Sequence, residues 1–199
     1  AMLSALAGAL IVLGVRLPGG AGADPTAVIL RALVTGLAVA LVEETFFRGA
    51  VYGAVRRGSS VTTAAGLSSL FYAALHFLGP RPLPEGAEVG WATGLHLLAS
   101  DFHRLADPAI LDSFAALFAV GLLLALVRER TGGIALCIGL HAGWVMVIQV
   151  FTKLTDLSPA SDLLFLVGGY DHVIGWLALG WVAVITLVYA SLSRRSGPA

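Results

Sequence analysis

Charge is scarce in this chain, and sulfur is scarcer. Of its 199 residues, 12% are Asp, Glu, Lys or Arg, where a soluble domain carries about 25%. Acids and bases balance at 12 each, so there is neither a basic surface for nucleic acid nor an acidic tail. A single cysteine, Cys137, lies in an apolar run. That excludes an intrachain disulfide and a CxxC metal knuckle. GxSxG and HExxH are both absent, which removes the serine-elbow hydrolases and the zincins from consideration. No internal repeat or low-complexity tract stands out.

What remains is hydrocarbon. Hydrophobic residues make up 58% of the chain, and the mean hydropathy is +0.90. Windows of about 20 apolar residues, the length that crosses a bilayer, fall at roughly 1–15, 28–52, 61–79, 109–127, 132–152 and 172–193. The first has no basic leading segment and no small-residue cleavage site, so it reads as a span rather than a signal peptide. The breaks carry the usual punctuation: LPGGAGADP at 17–25, RRGSS at 56–60, RERTGG at 128–133 and DLSPASD at 156–162. The expected fold is an all-α polytopic transmembrane helical bundle of about six spans, forming a single integral membrane domain over 1–199. Arg56, Arg57, Arg128, Arg130, Arg194 and Arg195 fall on one side of it. Arg16, Arg81, Arg104 and Lys153 are scattered on the other. The positive-inside rule then places both termini on the cytoplasmic side of the cell's inner membrane.

Residues 80–108 resist the scheme, being too polar to span and too apolar for a plain loop. Their core, WATGLHLLASDFHRL, has helical periodicity and reads as an amphipathic helix at the interface, or a lid over a membrane cavity. His96 and His103 share one face of it, where they could ligate a metal, though histidines at an interface are commonplace. Trp91, Trp176 and Trp181 suit interfacial or packing roles. Asp171 and His172, at the mouth of the last span, could act in substrate entry but better suit a helix N-terminal cap.

The stretch VEETFFRG at 42–49 demands an explanation, because each charge in hydrocarbon costs roughly 2.5–3.5 kcal/mol on insertion scales. Glu44 and Arg48 are four apart with the acid first, the favourable order for a helical ion pair. Glu43 points about 100° away and has no partner in the local sequence. It needs water, a cavity or another helix. Two other spans offer partners: His76, with Tyr72 one turn earlier, and His141, flanked by Gly139 and Gly143 that would permit close backbone approach. A glutamate and two histidines on three separate helices can activate a water directly as general bases, or through a metal such as zinc. Chemistry that needs a water inside a bilayer is intramembrane hydrolysis.

These residues carry a resemblance. EETFFR matches the EExxxR motif of the CPBP family of intramembrane proteases, the CAAX protease, bacteriocin-processing or Abi family that includes the Rce1 type of prenyl-protein endopeptidase. Tyr72 to His76 is similar to the family's aromatic-xxxH motif, and His141 begins its last motif. Together they cover about 28–152, the family's catalytic core. The resemblance implies an endopeptidase acting on a membrane-associated or lipid-anchored peptide or protein, with the bilayer as its other partner. It also implies roles. Glu43 and His76 polarise the attacking water, His141 stabilises the oxyanion, and Glu44 and Arg48 support the first motif. A glutamate-type mechanism without a metal cofactor is favoured; a zinc site would use the same Glu43, His76 and His141.

The chain departs from the pattern at Val145, four residues after His141, where the family carries a polar side chain. A lost oxyanion donor can cost roughly 10²–10³ in rate. The Trp144 indole and Gln149 are candidate substitutes. The alternative is a catalytically silent family member serving as a membrane binding or immunity scaffold. A small proton-relay transporter would also use intramembrane charges, but it lacks a paired-repeat signature.

Overall fold

The computed structural model describes residues 2–19, 22, 24–79 and 89–195; the side chains of His96, Leu98, Asp101 and 193–195 lie outside that description. The chain is helical nearly throughout. α1 (Met2–Val12) is followed by a short strand, β1 (Arg16–Pro18). α2 (Pro25–Glu44) starts from Asp24, whose carboxylate accepts the Thr26 N–H at 2.9 Å, with Pro25 at the first helical position. It runs without a break through a π-helical segment, Thr45–Val51, into α3 (Tyr52–Arg56). Ser60 caps α4 (Val61–Leu75) by accepting the Thr63 N–H at 3.1 Å. Then come α5 (Trp91–Leu105), α6 (Leu111–Thr131), α7 (Ala135–Leu154), the strand β2 (Thr155–Leu157) and α8 (Trp176–Arg195).

Three helical runs are long and apolar enough to cross a bilayer: Pro25–Arg56, Pro108–Thr131 and Ala135–Leu154. Three shorter apolar helices, Met2–Val12, Val61–Leu75 and Trp176–Leu192, complete the bundle. The all-α membrane fold read from the sequence is therefore present, with shorter first, third and last members. At 1.5 Å per residue the 11 residues of α1 reach only about 16 Å, half the hydrocarbon thickness.

One feature was not expected from hydropathy. β1 and β2 pair antiparallel, with Arg16 opposite Leu157 and Pro18 opposite Thr155. The Arg16 guanidinium is buried beneath this ladder. It donates to Thr155 Oγ1 (2.8 Å), to the Thr155 carbonyl (2.7 Å) and to the His172 carbonyl (3.2 Å). One cation so ties the start of the chain to the end of α7 and to the loop before α8.

α5 exposes Trp91, Leu95 and Phe102, in keeping with an amphipathic interfacial helix. The His96–His103 pairing and residues 80–88 fall outside the described structure.

In the bundle, α2 packs along α7, and α6 lies between α4 and α8. The close α2–α7 approach is made by Gly36. A Cβ there would stand 2.7 Å from the Ala142 carbonyl oxygen, a backbone atom that cannot yield. Gly139 and Gly143, expected to provide that approach, face open space with nothing within 4 Å. The glycine that matters is on the facing helix. It sits beside Ala142, so it brings the segment that carries Glu43 against the helix that carries His141.

Candidate active site

Glu43 and Glu44 end α2 where the backbone passes from α to π geometry. π-segments inside α-helices are uncommon and recur at functional sites. Glu44 is fully buried and Arg48 is 1% exposed; their ion pair, expected from the four-residue spacing, closes at 3.1 Å. Arg48 lies over the Tyr72 ring at 4.4 Å and reaches the Gly121 carbonyl at 3.4 Å. The buried cation is thus held by a carboxylate, an aromatic face and a carbonyl, which together offset its loss of water.

Glu44 has a second partner that spacing did not reveal. Its Oε1 also accepts from His141 Nδ1 at 2.8 Å. A carboxylate accepts, so Nδ1 carries the proton and the Nε2 of neutral His141 is left as a lone pair. His76, at the C-terminal cap of α4, is fixed the same way: its Nδ1 lies 2.8 Å from the Tyr72 carbonyl, which can only accept. Its Nε2 is likewise a lone pair.

Both lone pairs face Glu43. Glu43 Oε2 is 3.9 Å from His76 Nε2 and 3.9 Å from His141 Nε2. That oxygen is buried and has no hydrogen-bond partner among the described residues. Three acceptors therefore surround a gap with no donor among them. The distance is too long for a direct hydrogen bond and leaves room for a bridging water, which brings two donors. The three residues expected from the sequence to converge are brought together from α2, α4 and α7. A tetrahedral zinc with ligand bonds of about 2.0–2.1 Å needs neighbouring ligand atoms roughly 3.4 Å apart, closer than these. Among the described residues no group of three or more His, Cys, Asp or Glu side chains is arranged to hold a metal ion.

The trio opens into a cavity of about 310 Å³ that Tyr72, Trp144, Val145 and Gln149 also line. The two candidate substitutes for the missing donor, Trp144 and Gln149, thus face the same space as Val145. Tyr72 stacks edge-on against His76 with centroids 4.4 Å apart, so it positions that ring while supporting Arg48.

Asp171, read from the sequence as a helix cap, stands in the cavity wall, and so does its neighbour Tyr170, to which the sequence reading gave no role. Asp171 does not cap α8. Its Oδ1 accepts the N–H groups of Val173 (2.9 Å) and Ile174 (2.7 Å), closing a turn ahead of the helix. The signal available in the sequence was GGYDHVIG, a tight turn bracketed by glycines.

No curated protein and no solved structure matches the chain. A family model does, over residues 25–147, more than half the chain: the type II CAAX prenyl endopeptidase Rce1-like family.

Proposed function

Because the chain belongs to the Rce1-like family of type II CAAX prenyl endopeptidases, we propose that it hydrolyses a peptide bond in a membrane-associated or lipid-anchored peptide or protein, using a water held by Glu43, His76 and His141. The observation that carries this reading is the buried, partnerless Glu43 Oε2 facing two imidazole lone pairs at 3.9 Å.

The chemistry follows from the protonation pattern. A water between the three groups donates one hydrogen to Glu43 Oε2 and the other to His76 Nε2. As its oxygen attacks the scissile carbonyl carbon, Glu43 takes a proton and later returns it to the leaving nitrogen. His141 can donate to the developing oxyanion only from Nε2, and Nδ1 is already protonated toward Glu44. That role requires a proton taken up on Nε2 from solvent as the substrate binds and released with the product, its charge offset by the Glu44 carboxylate much as a triad aspartate supports its histidine. The proposed mechanism uses no metal. The paired basic residues at 56–57, 128–130 and 194–195 support placement in the cytoplasmic membrane with both termini inside.

Glu43→Gln preserves shape and removes the base. Cleavage of a membrane-anchored peptide by the purified protein in liposomes is expected to fall by at least ~10²-fold, with folding intact. Undiminished cleavage refutes the mechanism. One observation favours a second reading, a catalytically silent scaffold: Val145 stands in the cavity wall and offers no donor.

A further inference from the structure

Two spaces meet at the proposed water site. The cavity of about 310 Å³ extends from Glu43 and His76 past Leu3, Val120, Ile148, Trp181 and Ile185. A groove of about 450 Å³ starts from the same two residues and runs past Val42, Phe46, Phe47 and Leu75. Among the described residues, Glu43, His76 and Tyr170 line both. The first two belong to the water site. Tyr170 is the third, and its ring packs against His76 (centroids 6.1 Å) and Phe77 (5.4 Å).

We propose that Tyr170 is a specificity-determining residue, a partition that sorts the two flanks of a substrate's scissile bond into separate apolar compartments. This rests on the endopeptidase reading above. A partition must be stiff, and the loop carrying Tyr170 is braced on every side. Ser113 Oγ donates to the Ile174 carbonyl at 2.8 Å, and Gly168 N–H donates to the same carbonyl at 3.2 Å. Arg16 donates to the His172 carbonyl at 3.2 Å, and Asp171 Oδ1 gathers two N–H groups inside the turn. His172 is held at φ 60°, a left-handed conformation that costs a non-glycine residue roughly 1–2 kcal/mol; surrounding bonds of this kind are what sustain such a conformation. At Gly168 a Cβ would run into Ser113 Oγ, so the loop sits as near α6 as a chain can.

The substrate class follows from the walls. Both compartments are lined mainly by aliphatic and aromatic side chains, so the peptide carries apolar groups on both sides of the bond. The fixed wall then sets the size admitted on each side. The loop lies beyond residues 25–147, so the sorting element belongs to the part of the chain outside the family match.

The test uses the full chain in liposomes and a set of internally quenched, membrane-anchored peptides. They differ only in one apolar residue beside the cleaved bond: Ala, Leu, Phe or Trp. The same measurement is made on wild type, Tyr170→Phe, Tyr170→Ala and Tyr170→Leu, the last covering the case in which the alanine variant fails to fold. The wild type is expected to discriminate among the peptides by kcat/KM. Tyr170→Phe keeps that ranking. The small variants flatten it by about tenfold or more, the range that side-chain size differences in an apolar pocket support, with the change carried mainly by KM. An unchanged ranking in the small variants overturns the partition while leaving the endopeptidase reading standing. Uniform loss across all peptides also overturns it, since that marks a structural role. A wild type that cleaves none of the set sinks the endopeptidase reading and this proposal together.

Discussion

His141 Nδ1 and Arg48 Nη1 share one oxygen, Glu44 Oε1, at 2.8 and 3.1 Å. That oxygen joins α7 to the π-helical segment in the middle of the protein. It also fixes which nitrogen of His141 faces the cavity. Glu44 is therefore both a structural counter-ion and the group that orients an imidazole, and its replacement is expected to affect both.

Glu44→Ala leaves Arg48 buried without its carboxylate. Breaking a buried pair in this way costs about 3–5 kcal/mol, so a large drop in unfolding temperature in detergent is expected, along with loss of yield. Glu44→Gln keeps one accepting oxygen and should lose less stability than alanine does. Normal stability with complete inactivity in Glu44→Ala, together with retained activity in Glu43→Ala, would reverse the roles given to the two glutamates.

Gly36 sets the distance between the segment carrying Glu43 and the helix carrying His141. Gly36→Ala places a methyl 2.7 Å from the Ala142 carbonyl oxygen, so the helices must separate. A displacement of about 1 Å at a reacting site can cost ~10² in rate. The expected outcome is a fall in kcat of that order with the protein still folded. Wild-type kcat in a folded Gly36→Ala protein would show that the α2–α7 spacing does not govern the water site.

Strong chelation separates a water held by side chains from a water held by a metal. Dialysis against a tight chelator is expected to leave cleavage unchanged. Loss of cleavage in parallel with loss of protein-bound zinc, measured by elemental analysis and restored by added zinc, would assign Glu43, His76 and His141 as ligands.

Val145→Asn returns a donor to the position one turn after His141. If the oxyanion lacks a donor in the wild type, kcat should rise, by up to the roughly 10²–10³ that such a group is worth. No gain would mean that Trp144 or Gln149, both in the same wall, already supplies it.

Burial pushes the Asp171 carboxyl above the usual carboxylate range, against the opposing pull of the Ile174 and Val173 N–H groups and the charges of His172 and Arg16. A raised folded-state value means that the folded protein holds this proton more tightly than the unfolded chain does. The stabilisation is fully present below the ordinary carboxylate pKa and is lost as pH rises through the raised value. Asp171→Asn keeps an oxygen for the two N–H groups and removes the titration. The variant is expected to gain stability over wild type at neutral pH, and the gain should shrink as pH falls through the raised value and be gone below about 4. A stability difference independent of pH would show that Asp171 acts only through its hydrogen bonds.

Much of the protein was legible before any coordinates. Long apolar runs in a chain with so little charge leave a helical membrane bundle as the economical way to satisfy the backbone. Charges that hydrocarbon penalises draw attention to themselves, which is why Glu43, Glu44, Arg48, His76 and His141 stood out by position alone. The i,i+4 pair was local and therefore readable.

What needed the tertiary structure was every relation between segments far apart in sequence. His141 and Glu44 are 97 residues apart, and Arg16 and Thr155 are 139 apart; neither pairing leaves a periodic trace. The close helix approach was expected at the glycines beside His141 and lies instead at Gly36, because a glycine's use depends on what faces it. Tyr170 and Asp171 gave only the glycine bracket of a turn, and a turn does not announce which cavity it enters. Sequence alone determined which groups could not be left in lipid, since that is a property of each side chain and its neighbours in the chain. Only the packing of helices decided which of those groups meet, because a shared oxygen or a shared gap of 3.9 Å exists only once separate segments are brought together.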